Sequence, residues 1–336
     1  MSDPWNALVA SSNGESRTVR VQTLSDSDFA ISGLPSEDVT VRVAFSSLNY
    51  KDGLAVLGRN KVIRRYPMVP GIDFSGTVEK SDSSEFQPGD QVVLTGWGVG
   101  ENHWGGFAQK ARVPAGWLLP LPSDVSLKHA MTIGTAGLTA MLCLMALQNH
   151  GVTPESGPIV VTGAAGGVGG MAVACLSHLG YSVTACTGRP ELSDYLRQLG
   201  AIEVIGRDQL ASPTGRPLAG EHWAGAIDVA GGSVLANLLS AMKYGSTVAA
   251  CGLAADPGLQ TTVLPFILRG VILCGIDSVM CPAQHRQTAW KKLANCLSTE
   301  TLNLMTHTIT LSEVPAFSEQ IVAGKVQGRI VVDVNS

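Results

Sequence analysis

Residues 158–180 read Pro-Ile-Val-Val-Thr-Gly-Ala-Ala-Gly-Gly-Val-Gly-Gly-Met-Ala-Val-Ala-Cys-Leu-Ser-His-Leu-Gly: a short apolar run, a glycine cluster, then an apolar run with helical spacing. Those are the parts of a dinucleotide site. Ile159 to Thr162 suits a buried parallel strand, Gly163 to Gly170 a turn whose backbone can come close to a pyrophosphate, and Met171 to Leu179 a helix with its N-terminal N–H groups facing the phosphates. Gly180 would stop that helix. The strict G-x-G-x-x-G spacing is broken, because Ala164 holds the first glycine position ahead of Gly166 and Gly169, so a plain tight turn stays open on these residues alone.

Outward from this stretch, strands and helices alternate. Ser182 to Cys186 is the next strand, and Glu191 to Leu199 a helix with Leu192, Tyr195, Leu196 and Leu199 on one face. Val204-Ile205, Ala226 to Ala230, Thr247 to Cys251 and Val271 to Ile276 supply four more strands, with Val234 to Met242 a helix among them. Continuous apolar strands separated by helices predict a doubly wound parallel sheet. Upstream, Leu138 to Leu147 is an apolar helix, and Asp124 or Ser126 can cap a short one.

The first ~125 residues follow a different pattern, alternation with period two. Ala7 to Ala10, Thr18 to Val21, Gln91 to Thr95 and Phe107 to Val113 are short strands, and Val39, Val41, Val43 and Phe45 share one face of another. Turns fall at Pro70-Gly71, Pro88-Gly89-Asp90 and Gly105-Gly106, which fits a β-rich, partly open barrel. Strand patterning returns at His307 to Leu311 and Arg329 to Val334, so the tail is expected to rejoin this half. The domains are then 1–125 with 302–336, and a nucleotide-binding insertion at 126–301.

Composition narrows the function classes. With 45% hydrophobic and 15% charged residues in 336 and 38 glycines, the chain is globular and turn-rich. A net charge of -4 gives no general attraction to nucleic acid or anionic membrane. Met1 to Arg20 lacks the basic-then-apolar design of a signal peptide, and no segment reaches ~18 uninterrupted apolar residues, so a cytoplasmic protein is expected. Seven scattered cysteines without a C-x-x-C pair read as buried free thiols.

The end of the second strand of the insertion discriminates between nicotinamide cofactors. An acid there would bind the NAD ribose, whereas a small hydroxyl and an arginine suit the extra phosphate of NADP. Thr187-Gly188-Arg189 stand at that point, with Arg189 20 residues beyond Gly169 and no acid before Glu191. NADPH is therefore the expected cofactor, a solvated surface arginine being the alternative.

Six stretches carry a family resemblance: Ser46-Ser-Leu-Asn-Tyr-Lys-Asp-Gly53, Tyr66-Pro-Met-Val-Pro-Gly-Ile-Asp-Phe-Ser-Gly-Thr77, Pro88-Gly-Asp90, Gly134-Thr-Ala-Gly-Leu-Thr-Ala140, Gly163-Ala-Ala-Gly-Gly-Val-Gly169 and Val326-Gln-Gly-Arg329. Over essentially its whole length the chain resembles the zinc-independent medium-chain dehydrogenase/reductases, in particular their acrylyl-CoA reductase branch, some of whose members are called putative quinone oxidoreductases. The resemblance implies an α/β fold made of a GroES-like barrel and a Rossmann domain, a homodimer, and NADPH-dependent reduction of acryloyl-CoA to propanoyl-CoA. An NADPH:quinone reductase is the nearest rival, and a crystallin-like or RNA-binding protein on the same scaffold the rival of another class.

The same resemblance assigns site residues. Zinc-dependent relatives place a Cys where this chain has Leu48-Asn49-Tyr50 and a Gly-His-Glu where it has Gly71-Ile72-Asp73, so no metal is expected and Asp73 reads as a structural carboxylate. Tyr50 is the candidate catalytic residue beside the nicotinamide, as a donor to the thioester oxygen or to carbon, or as a packing group only. Ala165, Gly166, Gly167 and Val168 belong to the pyrophosphate turn, and Thr187, Gly188, Arg189 and Arg207 to the ribose phosphate. Leu253, Ile267, Ser278 and Gly324 match further cofactor positions. Asn49 is a candidate substrate contact or a shaper of its loop. Arg59, Lys61, Arg64 and Arg65 form a basic run suited to CoA phosphates or to a solvated face, and Arg329 reaches cofactor or CoA, or is a buried structural arginine.

Overall fold

Alternating valines open the first sheet. In the computed structural model, which describes residues 3–14, 16–31, 38–212 and 216–336, β1 (Trp5–Ser12) and β2 (Arg17–Leu24) form an antiparallel hairpin. Strand β3 (Asp38–Leu48) buries Val39, Val41 and Val43 completely. Helix α1 (Tyr50–Leu57) follows it after one residue, and β4 (Asp73–Ser81), β5 (Gln91–Thr95), β6 (Lys110–Pro114) and β7 (Leu119–Pro120) extend the sheet. Phe45 departs from the expected face and is only half-buried, while Ser46, Ser47 and Leu48 are buried. The pairing of β3 with β4 shifts between Val43 and Phe45. A bulge of this kind breaks the alternation of side chains, and beyond it both faces of the strand are buried.

Helix α2 (Leu127–Asn149) is interrupted at Gly134, whose φ of 47° and ψ of -155° are not helical. It is long and apolar enough to cross a membrane, but 94% of its most apolar window is buried inside the protein. Beyond it come β8 (Ile159–Val161) and α3 (Gly167–His178). Helix α3 begins four residues before the expected Met171. Its glycines are helical because the first turn runs hard against the preceding one: a Cβ on Gly169 would strike the Gly163 carbonyl and lie 2.7 Å from Ala164 Cα.

The alternation then runs through β9 (Val183–Thr187), α4 (Ser193–Gln198), β10 (Glu203–Gly206), α5 (Asp208–Ala211), β11 (Trp223–Asp228), α6 (Gly232–Ser240), β12 (Met242–Ala250), α7 (Leu264–Arg269) and β13 (Ile272–Gly275). These strands form one parallel sheet in the order β10-β9-β8-β11-β12-β13. The order reverses between β8 and β11, so two loops diverge at the carboxyl ends of those strands and open the crevice in which such sheets bind ligands. Val160, Ala226, Val248, Leu238 and Leu239 pack its core.

The chain returns through α8 (Ala283–Cys296), α9 (Thr299–Met305), β14 (Thr306–Thr310), α10 (Val314–Val322) and β15 (Arg329–Asp333). Strand β15 pairs antiparallel with β3 through Ile330 and Leu48, which gives the order β14-β15-β3-β4-β5-β7 with β6 also on β3. The structure divides into one unit of residues 1–135, 279–287 and 302–336 and another of 136–278 and 288–301. Segments 126–135 and 279–287 thus group with the β-rich unit, not with the insertion as expected. Arg286 explains the second: it is fully buried, donates to Cys281 O (2.8 Å), Val279 O (2.6 Å) and Thr95 Oγ1 (3.0 Å), and lies 4.5 Å over the Trp97 ring. All seven thiols are free, five of them buried.

Candidate active site

In the parallel-sheet unit, the glycine turn forms an anion cradle. Gly166 caps α3, and the first α-helical bond runs from Gly170 N–H to Gly166 O (2.9 Å), leaving the N–H groups of Gly167, Val168 and Gly169 ahead of it. Thr162 at the end of β8 and Asp228 at the end of β11 are tied by a 2.7 Å hydrogen bond, and Asp228 also accepts from Gly231 N–H (2.8 Å). This latch holds the two loops of the crevice at a fixed separation. Burial raises the Asp228 pKa, opposed by its hydrogen bonds.

The residues assigned to the ribose phosphate converge beside this cradle. Arg189 donates from Nη2 to Ala165 O (3.2 Å), and its own N–H bonds Thr187 Oγ1 (3.0 Å). Arg207 closes the other side, with its guanidinium carbon 3.2 Å from where a Cβ on Gly188 would lie, so a side chain at 188 would displace it. Two cations therefore flank a glycine at the end of β9. Leu253 follows β12 and Ile267 lies on α7, and both side chains are exposed, whereas Ser278 accepts a 2.7 Å bond from Thr139 Oγ1. Gly324, in the β-rich unit, lies at the end of α10 with φ +70°.

The second constellation lies within the β-rich unit and starts at Tyr50. The stretch read as a loop is helix α1, with Tyr50 as its first residue, 44% exposed, and Asn49 as its N-cap. Asp52 Oδ2 accepts from the Asn49 N–H (2.9 Å), and Oδ1 from the Ile72 N–H (2.9 Å). At the other end of the helix, Arg17 donates to the carbonyls of Ala55 and Val56 and to the Tyr66 hydroxyl (3.2 Å). An arginine there caps carbonyls that the last turn leaves open.

Beneath α1 lies a buried polar cluster. Asp73 accepts from Ser47 N–H (3.1 Å), Ser47 Oγ (2.7 Å), Asn49 Nδ2 (3.1 Å) and Thr135 N–H (2.8 Å). Arg329 donates to Asn49 Oδ1 (3.1 Å), Ser47 Oγ (2.8 Å) and Thr132 O (2.8 Å). Both are buried. Asn49 and Arg329 are both buried, and these polar atoms bond within the protein. Burial, and next the Asp73 charge, push the Asp52 pKa up to about 7, against the pull of its hydrogen bonds.

The basic run is at the surface of the same unit. Arg59, Lys61 and Arg64 are exposed, Arg65 is half-buried, and the nearby Glu101 is already paired with Lys51 at 2.9 Å. Arg17 and the Thr162–Asp228 latch escaped the sequence reading. Neither has a local pattern, because each joins residues far apart in the chain.

Comparison with known proteins agrees with this architecture. Residues 35–123 match the alcohol dehydrogenase GroES-like domain and 167–298 the zinc-binding dehydrogenase family. The chain is 52% identical to acrylyl-CoA reductase AcuI of Ruegeria pomeroyi, over 99% of this chain and 100% of that one. Escherichia coli K-12 YhdH, solved with bound NADPH, is 52% identical with a TM-score of 0.93, covering 98% of this chain and all of its own. YhfP of Bacillus subtilis, named a putative quinone oxidoreductase, is 44% identical over 99% of both chains, and its structure with NAD bound gives a TM-score of 0.93.

The name of the second matched family implies zinc, but the donors here do not suit it. Among the described residues no three His, Cys, Asp or Glu side chains are grouped to hold a metal ion. Asp73 has both oxygens filled by hydrogen-bond donors. The identity over nearly the full length, on both parts of the fold, is decisive: the chain belongs to the medium-chain dehydrogenase/reductase family, on its acrylyl-CoA reductase branch.

Proposed function

We propose that the protein is a zinc-independent, NADPH-dependent reductase of the C=C bond of a short enoyl-CoA, converting acryloyl-CoA to propanoyl-CoA. The observation that carries this is the 52% identity, over 99% of the chain, to a relative named acrylyl-CoA reductase. The cradle ahead of α3 suits the pyrophosphate, and Arg189 and Arg207 suit the 2′-phosphate. NADPH, when bound, supplies a hydride to the β-carbon of the enoyl thioester. What remains for the chain is to place the substrate, stabilise charge at the thioester oxygen and deliver a proton to the α-carbon. Tyr50, exposed at the start of α1, is the donor for that oxygen or that carbon. Arg59, Lys61, Arg64 and Arg65 receive the CoA phosphates, which is supported by the first two and Arg64 being exposed with no carboxylate partner among the described residues.

Strand β13 lies at the edge of its sheet, and we take it as the seam of a homodimer. A cytoplasmic location, without membrane or nucleic-acid partner, agrees with the net charge of -4 and the burial of α2. A quinone reductase is the second reading, favoured by the name given to YhfP, a putative quinone oxidoreductase. The test is oxidation of NADPH and of NADH with acryloyl-CoA, crotonyl-CoA, free acrylate and a benzoquinone, compared by kcat/KM. Acryloyl-CoA with NADPH is expected to lead. A benzoquinone exceeding it, or no NADPH oxidation with any enoyl-CoA, rejects the proposal.

A further inference from the structure

The first turn of α1 is tied down by one carboxylate. Asp52 is completely buried, and its two oxygens accept three hydrogen bonds: from Asn49 N–H (2.9 Å), Asn49 Nδ2 (3.1 Å) and Ile72 N–H (2.9 Å). Asn49 and Lys51 bracket Tyr50 in the chain, and Ile72 leads into β4. Asp52 therefore fixes the residue before Tyr50 to the strand beneath the helix. The bond to the Asn49 N–H is the carboxylate half of a capping box. All three of its partners are donors, so an ionised carboxylate receives three charge-assisted bonds, roughly twice as strong as neutral ones, and protonation weakens them.

The charges around it leave Asp52 as the group that can change. From β4, Asp73 is the like charge that disfavours its ionisation. From β15, Arg329 acts through Asn49 Oδ1 (3.1 Å). On α1 itself, Lys51 is turned to Glu101 (2.9 Å) and Tyr50 is exposed. Helix α10 packs on α1 with the uncharged Ser318, Ile321 and Val322 against Gly53, while its Glu319 is exposed. Burial and Asp73 together bring the Asp52 pKa to about 7.

We infer that Asp52 is a positioning residue for Tyr50: its ionised carboxylate holds the first turn of α1 in the geometry at which the Tyr50 phenol acts, and its protonation releases that turn. This rests on the assignment of Tyr50 as the donor. A displacement of about 1 Å at a reacting group costs on the order of 10²-fold in rate.

The experiment is kcat and KM with acryloyl-CoA and NADPH from about pH 5.5 to 8.5 for the wild type, Asp52→Asn and Tyr50→Phe. Wild-type kcat should fall as the pH drops below about 7. Asp52→Asn should lose on the order of 10²-fold in kcat and become flat across the range, with KM for NADPH changed by no more than about twofold. An Asp52→Asn enzyme with the wild-type pH profile overturns the role of Asp52. So does a wild-type kcat that is flat with pH, which decides the matter even if Asp52→Asn does not fold. Undiminished kcat in Tyr50→Phe removes the assignment of Tyr50, a separate result read on a separate variant.

Discussion

Replacing Arg189 by alanine tests the reading of the cofactor at one atom pair. Arg189 donates from Nη2 to Ala165 O at 3.2 Å, which supports the glycine turn, and in the proposed reading its guanidinium also meets a phosphate. The first is common to NADPH and NADH, so its loss cancels when the two cofactors are compared. The second concerns only the 2′-phosphate. A hydrogen bond to a charged group contributes about 1.5–3 kcal/mol, or roughly 10- to 150-fold in preference. Arg207 remains over Gly188 and keeps part of the attraction, which puts the expected loss in the lower part of that range, about 10- to 40-fold. The assay is kcat/KM for NADPH and for NADH at saturating acryloyl-CoA. The ratio should fall through a higher KM for NADPH, with NADH little affected. A ratio within about threefold of wild type refutes the assignment and leaves Arg189 as a support for the turn only.

Gly134→Ala should destabilise the protein by about 2–6 kcal/mol in urea unfolding, since it strains a backbone that only glycine adopts freely and overpacks the polar cluster. Its Cβ would stand 2.7 Å from Asp73 Oδ2 and 2.9 Å from Arg329 Nη2, and a loss under about 1 kcal/mol would mean the cluster yields without cost. Arg59→Glu with Arg64→Glu should raise KM for acryloyl-CoA several-fold while leaving that for a small enone unchanged; equal effects on both would place the CoA phosphates elsewhere. Stability should carry the Asp52 signature as well. Its folded pKa of about 7 exceeds the ordinary carboxylate value, so the folded state holds the proton more tightly and this contribution, complete below about pH 4, is lost as the pH rises through about 7. Urea midpoints measured across that window should therefore fall less steeply with rising pH in Asp52→Asn than in the wild type, and identical slopes would contradict the burial of an ionising group.

The parallel sheet was legible because its signals are local. Val160 and Val161 sit between an upstream turn and a glycine cluster, and α6 shows Leu235, Leu238 and Leu239 on one face, all buried. The start of α3 was not, since glycine has low helix propensity and the need for it at Gly169 comes from the close approach of Gly163 and Ala164. Phe45 was misplaced for a similar reason. A bulge is set by the partner strand, and the period-two pattern of β3 contains no trace of the shift between Val43 and Phe45.

The site divides along the same line. The grouping of Thr187, Gly188 and Arg189 at the end of β9 could be read directly, because the three are adjacent in the chain. Helix α1 could not: Tyr50-Lys-Asp-Gly begins with an aromatic residue, holds a glycine in its first turn and is eight residues long, so it is held as a helix mainly by tertiary contacts. Those contacts come from Arg17, Ile72 and, through Asn49, Arg329, positions that are near one another only after folding. A helix tied to a distant backbone group through one of its own carboxylates responds to the ionisation of that carboxylate, as a helix secured by its own propensity does not. The feature that hid α1 in the sequence is thus the one that lets Asp52 govern it.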